Sequence, residues 1–140
     1  MSQQAISLMA LSISAALSAV TEYRAVDYAG VQATVQGQKV LGVAKRGALT
    51  GDGFEVAAIG TAVVEAGAAF AIGTSLIVDA QGRAIASTGK LGIAAGATAV
   101  TSTAASGLIL TGGDASEYVF ADALQAAVAA GDKVEVLLRR

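Results

Sequence analysis

The sequence predicts an all-β chain, a small barrel or sandwich of short strands with one short helix near the C-terminus. Three observations carry this reading. Seventeen glycines punctuate the 140 residues. Short apolar runs fill the intervals, several of them alternating apolar with polar positions. Hydrophobic residues make up 54% of the chain and charged residues 14%, where a soluble domain averages about 25% charged. At this length one domain buries roughly two-thirds of its chain surface and needs no staple.

The elements follow in order. Leu8–Ala15 reads as a half-buried strand, with Leu11 and Ile13 alternating with Ser12 and Ser14. Tyr23–Tyr28 is a second strand. Turns around Gly30 and Gln36–Gln38 bracket Val31–Val35, and Lys39–Ala44 is a short strand with one glycine inside it. Gly51-Asp52-Gly53 turns into the longest strand, Phe54–Val64, bent at Gly60. Thr74–Val78 and Arg83–Ala86 form a hairpin around Asp79-Ala80-Gln81-Gly82, which has Asp first and Gly last as a type I turn prefers. Leu91–Ala94, Thr98–Thr101 and Gly107–Leu110 are further short strands, Gly112-Gly113-Asp114 is a loop, and Tyr118–Ala121 begins the last unit. Asp122–Ala130 is the expected helix, with Asp122 as cap, alanines within and Gly131 as stop. Lys133–Leu138 closes the chain as a strand. Gly51–Val56 (GDGFEV) echoes Gly131–Val136 (GDKVEV) over six positions, too few to establish a duplication.

Chemistry is hard to place on these residues. There is no Cys and no His, which removes disulfides, thiolates, the usual general base and the commonest transition-metal ligand. A phosphate-cradling loop fails because Ala84 stands where the first Gly belongs and Leu91 follows Lys90. Gly51-x-Gly53 lacks the third glycine of a dinucleotide fingerprint, having Val56 there. Ser87 and Lys90 flank a turn-like Thr88-Gly89 and do not share a helical face. The eleven acids are spread through the chain, and Asp52, Asp79, Asp114 and Asp132 stand near glycines in turn contexts. No EF-hand pattern is present for calcium. The expectation is therefore a protein with no enzymatic activity, cofactor or metal.

Net charge is −2, and the only basic pairs are Lys45-Arg46 and Arg139-Arg140. That predicts no nucleic-acid partner. Ile6–Val20 is apolar, but serines interrupt it and the first basic residue is Arg24. It reads as part of the structure, not as a signal sequence or membrane span. High hydropathy with little charge predicts a homo-oligomer. No charge lies between Ser2 and Thr21, so residues 1–10 are read as an N-terminal arm on a single domain over residues 11–140. Leu8, Leu11, Ile13 and Leu17 are the candidate intersubunit or partner contacts, with an ordinary first strand as the competing reading.

Two stretches carry a family resemblance. One is VEAGAA…GTSL…DAQGRA, within Thr61–Ala86, and the other is AAGDKVEVLL, ending at Leu138. They resemble the small phage proteins once catalogued as a domain of unknown function and since described as capsid cement or decoration proteins. The resemblance runs from about Leu11 to Leu138. Members have sometimes been labelled recombinases, which the broken phosphate loop does not support. The resemblance implies a β-rich body on the outer capsid surface of a virion, bridging major capsid proteins. A trimer is then preferred to a dimer, by analogy with the local threefold positions of an icosahedral lattice. The rival class is a phage or bacterial surface adhesin or fibre module binding carbohydrate. It would want exposed aromatics, and only 4% of the residues are aromatic.

Overall fold

The computed structural model describes residues 3–15, 17–88, 101–102, 110–111 and 117–139. Its strands are β1 Ser7–Ser14, β2 Ala25–Val26, β3 Gly42–Ala44, β4 Gly53–Glu65, β5 Ser75–Val78, β6 Ala84–Ala86, β7 Thr101–Ser102, β8 Leu110–Thr111, β9 Ala121–Ala123 and β10 Lys133–Leu138. Eight of them form one sheet in the order β2-β3-β4-β10-β9-β5-β6, with β1 on β4, and β7 and β8 form a separate two-stranded ladder. The large sheet curls into a nearly closed barrel. Ala66, just past β4, bridges Ala84 of β6 in parallel, and the amide of Ala25 in β2 donates to the Gly82 carbonyl at 2.7 Å.

The expected helix is absent. Asp122 lies inside β9, which pairs with both β5 and β10. Ala127 bridges Phe70, and Asp132 turns back to accept from the amides of Val128 and Ala129. Alanine's helix propensity is worth only tenths of a kcal/mol per residue. The strand option buries Ala121, Ala123 and Ala127 in the core and pairs the backbones of Ala121 and Ala123 on both sides. Tertiary packing wins.

Other bounds shift for local reasons. The second strand shrinks to Ala25–Val26 because Tyr23 takes a positive φ of 63°. Val31–Val35 forms no strand beyond the Val26–Gln32 bridge. The third strand starts at Gly42. The Asp79 hairpin and the closing strand stand as expected. The strands expected over Leu91–Ala94 and most of Thr98–Thr101 and Gly107–Leu110, and the loop at Gly112–Asp114, lie outside the described residues.

The six-residue echo marks a repeat of the backbone. In the first unit Ile13 pairs with Phe54 and Leu11 with Val56; in the second Val64 pairs with Val134 and Ala62 with Val136. Ala25 pairs with Val43 as Ser75 does with Asp122, and Val26 with Gly42 as Leu76 does with Ala121. The Val20–Ala48 bridge matches Phe70–Ala127. Asp27 Oδ1 accepts from the amides of Ala29 and Val31, and Asp79 Oδ1 accepts from those of Gln81 and Arg83. Gly51 and Gly131, at φ 92° and 95°, donate to the carbonyls of Ala15 and Ala66, each at 2.8 Å. The described strands other than β7 and β8 thus repeat one four-strand plan, with β6 added in the second unit where the first has only the Val26–Gln32 bridge. The first is β1, β2, β3 and the start of β4. The second is the end of β4, then β5 with β6, β9 and β10. β4 belongs to both.

The core follows this division. Val20, Val26, Leu41, Phe54 and Val56 form a cluster within the first unit. Ala25, Val40, Val43 and Ala57 of the first unit join Val64, Leu76, Val78, Phe120 and Val136 of the second in the larger cluster.

Gly60 is where β4 passes from one unit to the other. It has φ 105°, and an added Cβ would stand 2.3 Å from the Ile6 carbonyl oxygen and 2.7 Å from the Leu8 nitrogen. Gly60→Ala is expected to cost more than about 2 kcal/mol, combining backbone strain with a backbone clash. Gly73→Ala, at φ 80° with nothing within 4 Å, is expected to cost only about 1–2 kcal/mol. Equal losses in chemical denaturation would contradict this account of Gly60.

Candidate interaction surface

Among the described strands β1 pairs with β4 alone. β3 occupies the other edge of β4 at Val56 and Ala57, so among the described strands β1 ends the sheet, its outer edge met by the chain's own Gly30 at the Ser14 carbonyl. Both its faces are bare over most of its length. Leu8 is 76% exposed, Met9 40% and Leu11 36%, and Ile6 and Leu17 on either side are 53% and 76% exposed. Ile13 differs: it is half-buried and packs on the first unit's core. Of the four contacts expected from sequence, Leu8, Leu11 and Leu17 therefore lie on the open surface, and Ile13 anchors the strand. Ile6 and Met9 belong to the same apolar surface. Their clue was the uncharged stretch itself, which does not say which positions face outward. An uncharged eight-residue edge, interrupted only by register shifts near Met9, is what soluble proteins normally protect.

Residues 3–6 do not hang free. The amides of Gln4 and Ala5 donate to the Glu135 carboxylate at 2.8 and 3.0 Å. The Thr61 hydroxyl donates to the same carboxylate at 2.7 Å and accepts from the Ile6 amide at 2.7 Å. The Thr61 amide donates to the Ile6 carbonyl. Residues 7–10 continue directly into β1. Glu135 is 2% exposed. Burial pushes its carboxyl up, but the Thr61 hydroxyl and the Gln4 and Ala5 amides outweigh that and hold it below the usual carboxylate value. No sequence pattern announces this clamp, since its partners lie far apart in the chain.

A second polar cluster joins the two units. Arg24 of the first unit makes a two-pronged contact with Glu65, which also receives Lys133 at 2.7 Å. Burial raises the Glu65 carboxyl, and Lys133 and Arg24 more than reverse it. The Tyr23 carbonyl accepts from the Glu65 amide at 2.9 Å. Among the described residues no group of three or more acids stands where a metal would be held. Lys39 Nζ lies 5.6 Å from the Tyr28 ring and 5.9 Å from the Tyr118 ring, placing an ammonium on both aromatic faces. No described helix is long and apolar enough to cross a membrane.

No family model matches the chain, and no curated protein matches it. Among solved structures it is similar to the crystal structure of the N base of head fibre gp8.5 of bacteriophage phi29. The TM-score is 0.62 at 19% identity, and the match covers 94% of this chain and 95% of that one. The likeness establishes a shared fold along the whole length of both chains.

These two lowered carboxyls, the most buried of the four that are lowered, set an acid limit. A group whose native pKa is depressed stabilises fully above its unfolded value, here near 4.5. That stabilisation is lost as pH falls through the native value. The melting temperature is therefore expected to hold between about pH 8 and 6 and to fall below about pH 4.5, with a shallower fall in Glu135→Gln. In that variant hydrogen exchange at the Gln4 and Ala5 amides is expected to quicken by about tenfold or more, for the loss of bonds to a charged acceptor. Unchanged exchange at both amides would show that the carboxylate does not hold the N-terminal segment.

Proposed function

We propose that this chain is a structural protein of a phage virion. It sits on the outer capsid surface as a homo-oligomer, a trimer in preference to a dimer, and bridges neighbouring major capsid proteins. The observation that carries the reading is the end-to-end match to a protein described as the base of a phage head fibre. The cement-protein motifs in Thr61–Ala86 and Ala123–Leu138 lead to the same class from the sequence side.

The use of the acids supports a structural role without catalysis, cofactor or metal. Asp27, Asp79 and Asp132 cap turns, Glu55, Glu65 and Asp122 hold cations, and Glu135 holds the N-terminal segment. Binding energy in such a protein comes from many modest contacts multiplied across copies. The open edge of β1 supplies backbone groups, and Leu8, Leu11 and Leu17 supply apolar area. Neither needs nucleic acid or a membrane. The carbohydrate-binding alternative is weakened at its best aromatic pair, where Lys39 already lies against Tyr28 and Tyr118.

Electron cryo-microscopy of phage particles carrying the chain tests this directly. Density for the fold is expected outside the shell, spanning adjacent capsid subunits. Particles that lack it, or that hold it only at the tail tip, would refute the proposal. Leu8→Asp combined with Leu11→Asp is expected to lower particle occupancy at least about tenfold while leaving the circular dichroism of the free protein unchanged.

A further inference from the structure

The internal repeat gives the β1 edge a counterpart whose surroundings are visible. Under the repeat, β1 in the first unit corresponds to the end of β4 in the second, with Ile13 matching Val64 and Leu11 matching Ala62. The two positions meet different surroundings. Leu11 is 36% exposed and Ala62 4%. The end of β4 is protected because the first unit lies on it. The Tyr23 carbonyl takes the Glu65 amide, and Arg24 reaches the Glu65 side chain and the Gln81 carbonyl. The matching positions on the first unit are Ser14 for Glu65 and Ala29 for Gln81, and both are exposed. The Ser14 amide faces away from β4, because the flanking Ile13 and Ala15 point theirs toward it. The Ser14 carbonyl, on the same side, lies against Gly30 of the same chain, and no described backbone carbonyl accepts from the amide.

The group that would complete this contact is present on every copy of the chain. Tyr23 and Gly73 are equivalent, both with positive φ, their amides donating to the carbonyls of Ala44 and Ala123. Arg24 therefore matches Thr74. Ala71, Ile72 and Gly73 are exposed, Ile72 to 69%, and nothing stands within 4 Å above Gly73. The charges agree as well. Arg24 and Glu65 within the chain become Thr74 and Ser14 at the equivalent positions, so the second contact carries no unpaired charge. It is framed by Leu8, Leu11 and Leu17 on one side and Ile72 on the other.

We propose that residues 71–74 in the second unit of one copy cover the β1 edge of the next copy, repeating between chains the contact that joins the two units within a chain. The contact is head-to-tail, with different surfaces on the two partners, and can close only as a ring or continue as a filament. It deepens the reading of the chain as an assembling virion protein and rests on that reading for its setting only.

The absence of cysteine makes the test direct. Ser14→Cys and Thr74→Cys are made separately, mixed, and treated with a short bismaleimide. A cross-linked pair is expected in the mixture, with neither variant linking efficiently to itself. Ser14→Pro removes the outward amide at an edge position where proline is tolerated. It is expected to shift the oligomer to monomer in sedimentation velocity with its circular dichroism unchanged. The proposal is overturned if the wild-type chain stays monomeric at high concentration. It is equally overturned if the mixture gives no linked pair, or if Ser14→Cys links chiefly to itself, which would show a twofold β1–β1 contact. Occupancy of phage particles is read in parallel. Retention without the cross-link sinks this contact and leaves the capsid role standing, and a cross-linked oligomer that never enters particles does the reverse.

Discussion

One strand is asked to do two jobs. β4, Gly53–Glu65, closes the first unit by pairing with β1 and β3 and opens the second by pairing with β10. A strand's side chains alternate, so its register on one side fixes which residues face inward on the other. Phe54, Val56, Ala58, Ala62 and Val64 are all buried along its length. A slip of one residue at either end would turn that whole row outward in both units. Neither unit can therefore adjust alone. The crowding at Gly60 marks where the two geometries meet, with Ile6 and Leu8 passing against its backbone.

The polar contacts at the junction reinforce the same constraint. A buried carboxylate is costly unless its lone pairs are taken up. Glu135 meets that condition with two amides and a hydroxyl drawn from residues 4, 5 and 61. Its own amide accepts no such rearrangement, since it donates to the Gln125 side chain. Glu65 meets the condition with two cations, one from each unit. Removing either acid would leave its partners without an acceptor, and that loss usually exceeds the net value of the bond. The chain start, the middle strand and the last strand are thereby tied together with few large apolar residues. An alanine-rich core buries little area per residue, so these contacts carry a larger share than they would in a leucine-rich domain.

Much of the backbone plan was legible because it rests on residues with few conformational options. Asp79 and Gly82 announced their hairpin, and Gly51-Asp52 and Gly131-Asp132 announced the turns before β4 and β10. The helix over Asp122–Ala130 was misread for a physical reason. Alanine suits a helix locally, yet it also fits a tightly packed strand, and only the partners β5 and β10 decide between them. The repeat was visible only as a six-residue echo. The units agree where geometry demands a residue type, as at Asp27 and Asp79 or Gly30 and Gly82, and differ where an apolar group of any shape will serve, as at Val20 and Phe70. The apolar character of the β1 surface was legible from the missing charges. The Glu135 clamp was not, because it joins residues about as far apart as the chain allows.

The repeat also explains why the two units have diverged where they have. Positions 65 and 14 are equivalent, yet one is Glu and the other Ser. Glu65 is half-buried between Arg24 and Lys133, and a carboxylate there is matched by fixed cations. At Ser14 the equivalent of Arg24 is Thr74 and the equivalent of Lys133 is Gly53, so a carboxylate would have no counter-charge when the edge is covered. The same reasoning covers the rest of β1, which carries no charge at all. A strand that stayed permanently in water would gain from a lysine or glutamate, because such residues block unwanted edge pairing. Neutrality along the exposed residues of this edge fits the contact between copies proposed above, which would bury it. Under the proposed role on a repeating lattice, a single edge of this kind would contribute once per subunit, and modest contacts would add to a durable attachment.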